Sequence, residues 1–253
     1  MNIGLLVTCL VDLWRPEVGF ATVKLLEASG CIVHVPLQTC CGQPAYNSGD
    51  RKTAQALARQ MIDALFRFDA VVAPSGSCAG MVVAHYPDLL ADDPVYGPKA
   101  RALSQRTFEL TAFLADRPDA PAITARFDGT IVHHDSCSCL RDLNVEQAPQ
   151  NLLAQIVGAR IARPTQPATC CGFGGTFAVK YPDISSQMAK RKAEDLMATS
   201  ADLLVSSDLG CLLNIAGTLS RQGSTMKVRH IAEVLAGDLD GPAIGEAKGS
   251  AAP

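Results

Sequence analysis

Aromatic residues make up only 5% of this 253-residue chain, and neither sign of charge dominates: 22 Lys and Arg face 25 Asp and Glu, for a formal net charge of −3. The first shortage argues against a base-stacking platform. The second leaves no basic field for nucleic acid or an anionic lipid surface. Long apolar runs are missing too. The opening MNIGLLVTCLVDLWRPE offers only about ten apolar residues before Asp12, too few for a membrane span. It also has no basic start and no small-residue cleavage site, as a secretory signal would. We read it as a buried first strand and expect a cytoplasmic location. No G-x-G-x-x-G follows a predicted strand, so the usual cradle for a nicotinamide or flavin is lacking. Low-complexity sequence is confined to the tail GDLDGPAIGEAKGSAAP, which is small, polar and expected to be disordered over 239–253.

What the chain does have is cysteine, ten in all. Two stretches, TCCGQPAYNSGD at 39–50 and TCCGFGGTFAVK at 169–180, each set adjacent thiols in front of a glycine. Neighbouring cysteines rarely bridge each other, because a disulfide needs well-separated Cα atoms and suitably directed Cβ atoms. In a reducing compartment such thiols point to metal binding or redox chemistry. The cysteines also repeat. Cys9, Cys40, Cys41 and Cys78 recur as Cys137, Cys170, Cys171 and Cys211, at offsets of 128, 130, 130 and 133. Each half therefore reads single Cys, then CCG, then single Cys.

Short apolar runs precede each of these thiols. IGLLVT comes before Cys9, CIVHVP before the first pair and AVVAP before Cys78. GTIVHH, ARIARP and ADLLVS stand in the same places in the second half. Helical patterns lie between them: 15–30, 51–68, 144–157, 184–199 and 211–222, with a connecting helix at 96–117. The alternation predicts an α/β protein of two pseudo-symmetric halves, each a small, mostly parallel, Rossmann-like sheet with flanking helices. The halves are expected at 1–122 and 123–238. In such sheets ligands sit beyond the carboxyl ends of the strands, where all eight repeated cysteines fall, so one four-thiol site per half is expected.

Four thiolates suit zinc or an iron–sulfur cluster. Zinc sites usually come as C-x₂₋₄-C knuckles, and neither half has a C-x₂-C. A cluster spreads its ligands over several irons, so adjacent cysteines can serve different ones. Gly42, Gly172, Gly174 and Gly175 can take unusual backbone dihedrals and bring N–H groups close to sulfur. These features favour an iron–sulfur cluster, with zinc as the alternative.

The motifs TCCGQPAYNSG, PSGSC, HDSC, CCGFGGTFAVK and DLGCLLNI resemble the cysteine-rich CCG-domain family. It includes components of heterodisulfide reductase, of glycolate oxidase and of anaerobic glycerol-3-phosphate dehydrogenase. The likeness runs to about residue 236 and covers nearly the whole chain. It implies two [4Fe-4S] clusters, one held by Cys9, Cys40, Cys41 and Cys78, the other by Cys137, Cys170, Cys171 and Cys211. It also implies an electron-transferring iron–sulfur subunit of a cytoplasmic complex that oxidises L-lactate to pyruvate. The partners implied are a larger ferredoxin-like subunit and a third small subunit. A heterodisulfide-reductase-like thiol–disulfide subunit and a non-redox zinc-binding interaction protein are the alternatives. Two positions depart from the heterodisulfide reductase pattern. Its last motif, C-x-x-C, begins here with Ser75 and Asp208, whose oxygens either stand behind the ligands or are unusual ligands themselves. Cys139 stands where a histidine is expected.

Other residues read as structural. Cys31 looks like core, and Cys139 like packing. His133 and His134 precede Cys137 and suit a place behind the ligands or in the core. His85 reads as a surface residue or as a support to the ligands, His230 as a helix start, and Lys180 as a solvated cation.

Overall fold

The computed structural model describes residues 1–117 and 123–246. Two four-stranded sheets organise it. The first contains β1 (Asn2–Leu5), β2 (Ile32–His34), β3 (Ala70–Ala73) and β4 (Thr107–Glu109), in the order β2-β1-β3-β4. The second contains β5 (Arg126–His133), β6 (Val157–Ala162), β7 (Leu203–Ser206) and β8 (Lys227–His230), in the order β6-β5-β7-β8. Every pairing is parallel. The α/β class and the internal duplication expected from the sequence are both present.

The inner strands explain why short apolar runs became strands. All four residues of β3, AVVA, are buried, as are all four of β7, LLVS. A parallel strand covered on both faces needs a continuous apolar run, and each fully buried Val or Leu contributes about 1.5–3 kcal/mol. The helix Arg51–Leu65 covers one face through Ala54, Ala58, Met61, Ile62 and Leu65, a helical stripe. Asp50 caps it by accepting from the Thr53 N–H at 3.0 Å. The helix Pro16–Ala28 starts on a proline, whose missing N–H costs nothing in the first turn.

The halves share a core. One continuous apolar cluster includes Ile3 and Leu5 from the first sheet with Ile131, Leu203 and Leu204 from the second. The helix Pro16–Ala28 packs on the helix Ile231–Ala236. At that seam the Arg15 guanidinium donates to both carboxylate oxygens of Glu233, at 2.9 and 2.7 Å.

Two expectations need correction. The single connecting helix at 96–117 is two helices, Tyr96–Ser104 and Leu110–Ala115, with β4 between them. β4 is a three-residue strand, TFE, too short to show a period of two; pairing with β3 creates it. The disorder expected from residue 239 does not begin there. The Ile244 N–H donates to the Val228 carbonyl at 2.8 Å, and Ala243 and Ile244 are buried. The expected boundary near 122, and the tail beyond Glu246, lie outside the described residues. Among the described residues no helix is long and apolar enough to cross a membrane.

Candidate metal centre

Each repeated cysteine sits just past the carboxyl end of a strand. Cys9 opens the helix Cys9–Trp14 after β1, and Cys137 opens Cys137–Arg141 after β5. Thr8 and Ser136 cap these helices, their hydroxyls accepting from the Val11 and Cys139 N–H groups at 3.3 and 3.2 Å. Cys78 lies in the short helix Gly76–Gly80 after β3, and Cys211 in Leu209–Arg221 after β7. The two CC pairs occupy the loops after β2 and β6.

Within the first half, Sγ of Cys9 lies 3.8 Å from that of Cys40, and Sγ of Cys41 lies 3.4 Å from that of Cys78. The second half repeats the chain of thiol contacts, from Cys137 to Cys170 and from Cys171 to Cys211. All eight thiols line one cavity of about 390 Å³, together with Ser75, Asp208, Gly174 and Gly175. The two sets face each other across a shared cleft, an arrangement that the spacing of the repeats does not reveal.

The glycine of each CCG is required by geometry. Gly42 and Gly172 have φ of +87° and +82°, the left-handed region that a side chain disfavours. A Cβ on Gly172 would also stand 2.6 Å from the Ser185 carbonyl oxygen. This backbone turn aims the Gly42 N–H at Cys40 Sγ and the Gly172 N–H at Cys170 Sγ, both at 3.4 Å. The Phe173 N–H reaches Cys171 Sγ at 3.4 Å as well. Two side chains the sequence did not single out hold the loops from behind. Tyr86 Oη donates to the Cys41 carbonyl at 2.8 Å, and Asn214 Nδ2 to the Cys171 carbonyl at 2.9 Å.

Crowding separates the thiols electrostatically. Hydrogen bonds from Cys41 and Cys9 bring Cys40 down to about 3. Those from Cys137 and Cys171 bring Cys170 down to about 2. Their donors are pushed the other way: Cys9, Cys41, Cys137 and Cys171 rise because each shares its proton with the neighbouring thiolate. One thiolate per CC pair forms readily, and a bound cation would favour ionising the thiols whose pKa is raised. Four converging sulfurs with backbone N–H groups directed at them form a donor set that fits an iron–sulfur cluster.

Comparison with known proteins finds the same duplication. The CCG family of cysteine-rich domains matches residues 3–83 and 131–216, one copy per half. The chain belongs to the CCG cysteine-rich domain family. Among similar CCG proteins, Lactate utilization protein A of Exiguobacterium sp. is 46% identical over 237 residues, covering 92% of this chain and 96% of that one. Lactate utilization protein A of Geobacillus kaustophilus is 46% identical over 236 residues, covering 93% and 98%. A hypothetical protein from Helicobacter pylori has the same fold at a TM-score of 0.62 and 12% identity; the chain spans 49% of its length.

Ser75 and Asp208, the two departures from the C-x-x-C pattern, meet each other. Asp208 Oδ1 accepts from Ser75 Oγ and Ser77 Oγ, each at 2.7 Å, and from the Ser77 N–H at 3.0 Å. Asp208 Oδ2 is buried without a partner. Beside this junction lie three more buried groups, Cys139, Glu109 and His230. Cys139 Sγ stands 3.4 Å from Ser207 Oγ. A Cβ on Gly76 would clash with the same sulfur at 2.2 Å, so Cys139 packs against the glycine. Glu109 and His230 end β4 and β8 and cap the helices that follow, which makes them repeat partners. His230 Nε2 lies 3.1 Å from the Pro74 carbonyl and 2.9 Å from that of Ser207, one from each half. The helix start read at His230 is present. Glu109 had no recognisable sequence signal, because the strand before it has only three residues.

Burial pushes the Glu109 carboxyl up to about 7, from an ordinary 4.5. The native state then keeps a proton that the unfolded chain releases between those values, so stability falls as pH rises through the window. Glu109→Gln keeps an acceptor for the Thr111 and Ala112 N–H groups and removes the ionisation. It is expected to raise stability by about 3 kcal/mol near pH 8 and to change it little near pH 4. Urea unfolding at the two pH values measures the difference; equal effects at both would exclude ionisation as the cause.

The remaining candidates divide by place. His134 is buried, and one of its ring nitrogens lies within 4.8 Å of Cys171 and Cys211 Sγ, closer to the thiols than the sequence suggested. Burial, then Lys192 and His133, bring its pKa down to about 3. His133 Nδ1 lies 2.9 Å from Asp135 Oδ1. His85 lines the cavity and stacks on Tyr46. Lys180 is exposed and lies outside the cavity lining. Cys31 is buried just before β2, at the opposite edge of the sheet from the thiols. Cys31→Ser is expected to cost about 1–3 kcal/mol by burying a hydroxyl. Metal content should be unchanged; a loss of metal would give Cys31 a ligand role.

Proposed function

We propose that the chain carries two [4Fe-4S] clusters, one on each four-thiol set, and serves as the electron-transfer subunit of a cytoplasmic complex oxidising L-lactate to pyruvate. The observation that carries this reading is the meeting of both thiol sets on one cavity, in a chain similar over nearly its whole length to Lactate utilization protein A. Bound there, a cluster supplies one-electron transfer. The thiolates anchor it, and the CCG glycines direct backbone N–H groups at its sulfur ligands.

What lines the cavity supports this division of labour. Among the described residues no Lys or Arg does so, and Asp142 and Asp208 add negative charge. A 2-hydroxy acid anion finds no cationic partner there, which supports substrate capture by a partner protein. Oxidising lactate releases two electrons, and two centres in one chain provide two one-electron acceptors. The segments that bear thiols also bear exposed apolar side chains: Leu13 and Trp14 after Cys9, Leu37 before Cys40, and Val179 beside the second CC loop. They offer contact surface for a ferredoxin-like subunit and a third small subunit.

A thiol–disulfide reaction is the second reading, favoured by the open cleft between facing thiol sets. Anaerobic purification with iron analysis and turnover assays separates the possibilities. The first reading expects a brown protein with about eight irons per chain. Alone it should reduce almost no dye with lactate; joined by its two partners it should become active. Full lactate turnover by the isolated chain would overturn the division of labour. Turnover of disulfides but not lactate by the complex would favour the second reading. A colourless zinc protein would overturn both.

A further inference from the structure

The two thiol sets are matched in sulfur but not in what stands behind them. The main-chain N–H of Leu6 donates to Val72 O at 2.9 Å, and that of His134 donates to Val205 O at 2.8 Å. These are the same bond in the two sheets, so Leu6 and His134 are counterparts. The helices Arg51–Leu65 and Pro182–Met197 correspond in the same way. Their buried residues, 54, 58, 61, 62 and 65 against 185, 189, 192, 193 and 196, keep identical spacing. Met61 is therefore the counterpart of Lys192. Where the first half has leucine and methionine, the second has imidazole and ammonium, and all four side chains are fully or almost fully buried.

Both polar groups stand near the second set. Neither ring nitrogen of His134 has a hydrogen-bond partner, although the ring is buried and one nitrogen lies within 4.8 Å of Cys171 and Cys211 Sγ. An imidazole has an N–H to donate in either protonation state. Lys192 Nζ donates to the carbonyls of Gln166 and Pro167, both at 3.1 Å, in the loop leading to Cys170. Its charge acts on Cys170, Cys171 and Cys211.

The geometry points to His134 and Lys192 as positioning residues that raise the reduction potential of the second centre above that of the first. An N–H close to the sulfur ligands and a buried positive charge would both favour the more negative, reduced form of a bound cluster. The pair of centres then has a direction. With a cluster on each set, one electron would pass from the Cys9/Cys40/Cys41/Cys78 side, oxidising it by one, to the Cys137/Cys170/Cys171/Cys211 side, reducing it by one, with no proton required. This inference rests on the iron–sulfur reading above.

Potentiometric titration followed by electron paramagnetic resonance tests it, on chains holding one centre each. Cys41→Ala isolates the second centre and Cys171→Ala the first. In the Cys41→Ala chain, His134→Leu and Lys192→Met, which install the first half's own residues, should each weaken reduction about tenfold, or about 59 mV for one electron. His134→Gln, which keeps an N–H, should recover much of the loss. In the Cys171→Ala chain the same substitutions should leave the potential unchanged. Equal starting potentials for the two centres would overturn the inference, as would unshifted values in iron-replete variants. Loss of iron in His134→Leu would make His134 a ligand and overturn its assigned role; Lys192→Met still tests the charge. A chain without iron in any form would instead overturn the iron–sulfur reading, and the inference with it.

Discussion

Cys171→Ala should remove about half of the iron and abolish lactate oxidation by the assembled complex. Cys171 sits inside the chain of thiol contacts of its set. It touches Cys170 and Cys211, takes the Phe173 N–H at 3.4 Å, and has its own carbonyl held by Asn214. Deleting the thiol leaves three sulfurs in the set, while the Asn214 bond to the residue-171 carbonyl still holds the loop. The first set keeps its own four sulfurs and its own loop geometry, with Tyr86 bracing Cys41. Cys41→Ala should mirror the result, emptying the first site and sparing the second. Iron per chain, measured beside lactate-dependent dye reduction, checks both variants. Because the two sets line one cavity, the experiment has a sharp alternative outcome. If either substitution empties the chain completely, the eight thiols serve a single shared centre.

Asp208→Ala should destabilise the fold by about 3–5 kcal/mol while leaving iron in place. Asp208 Oδ1 takes three hydrogen bonds from Ser75 and Ser77 of the other half. Bonds to a charged acceptor contribute about 1.5–3 kcal/mol each, and those sharing one acceptor do not add fully. Removing the carboxylate leaves the Ser77 N–H of a buried junction without its acceptor and the Ser75 and Ser77 hydroxyls with only each other, 3.1 Å apart. Asp208→Asn keeps an acceptor at the same place and should cost much less. Denaturant unfolding of the two variants gives the difference. The prediction of retained iron follows from the proposal that Ser75 and Asp208 stand behind the ligands, with thiolates in the ligand positions. Iron lost from the second site alone would make Asp208 a ligand.

Much of this architecture was legible in the sequence. Offsets of 128 to 133 between equivalent cysteines disclosed the duplication. Short apolar runs such as AVVAP and ADLLVS disclosed the buried inner strands, because a run of that kind needs cover on both faces. The thiols could be placed at strand ends because each follows such a run within a few residues, and the chain cannot carry them elsewhere. The glycine after each CC pair was legible for a similar reason: a local backbone turn with positive φ has a local cause.

What stayed hidden depends on residues far apart in the chain. β4 and β8 are TFE and KVRH, with no apolar period to read; they are strands because β3 and β7 offer them edges. Local pattern and covalent spacing are enough to give two copies of one α/β unit, each with four thiols and a glycine turn. That the two sets line one cavity is a property of the folded chain. It depends on how the halves dock, through the seam between the helices Pro16–Ala28 and Ile231–Ala236 and the bonds between Ser75 and Asp208. The tertiary structure alone set His134 and Lys192 behind one set and Leu6 and Met61 behind the other. A side chain's electrostatic effect depends on its distance through space, which packing fixes and sequence separation does not.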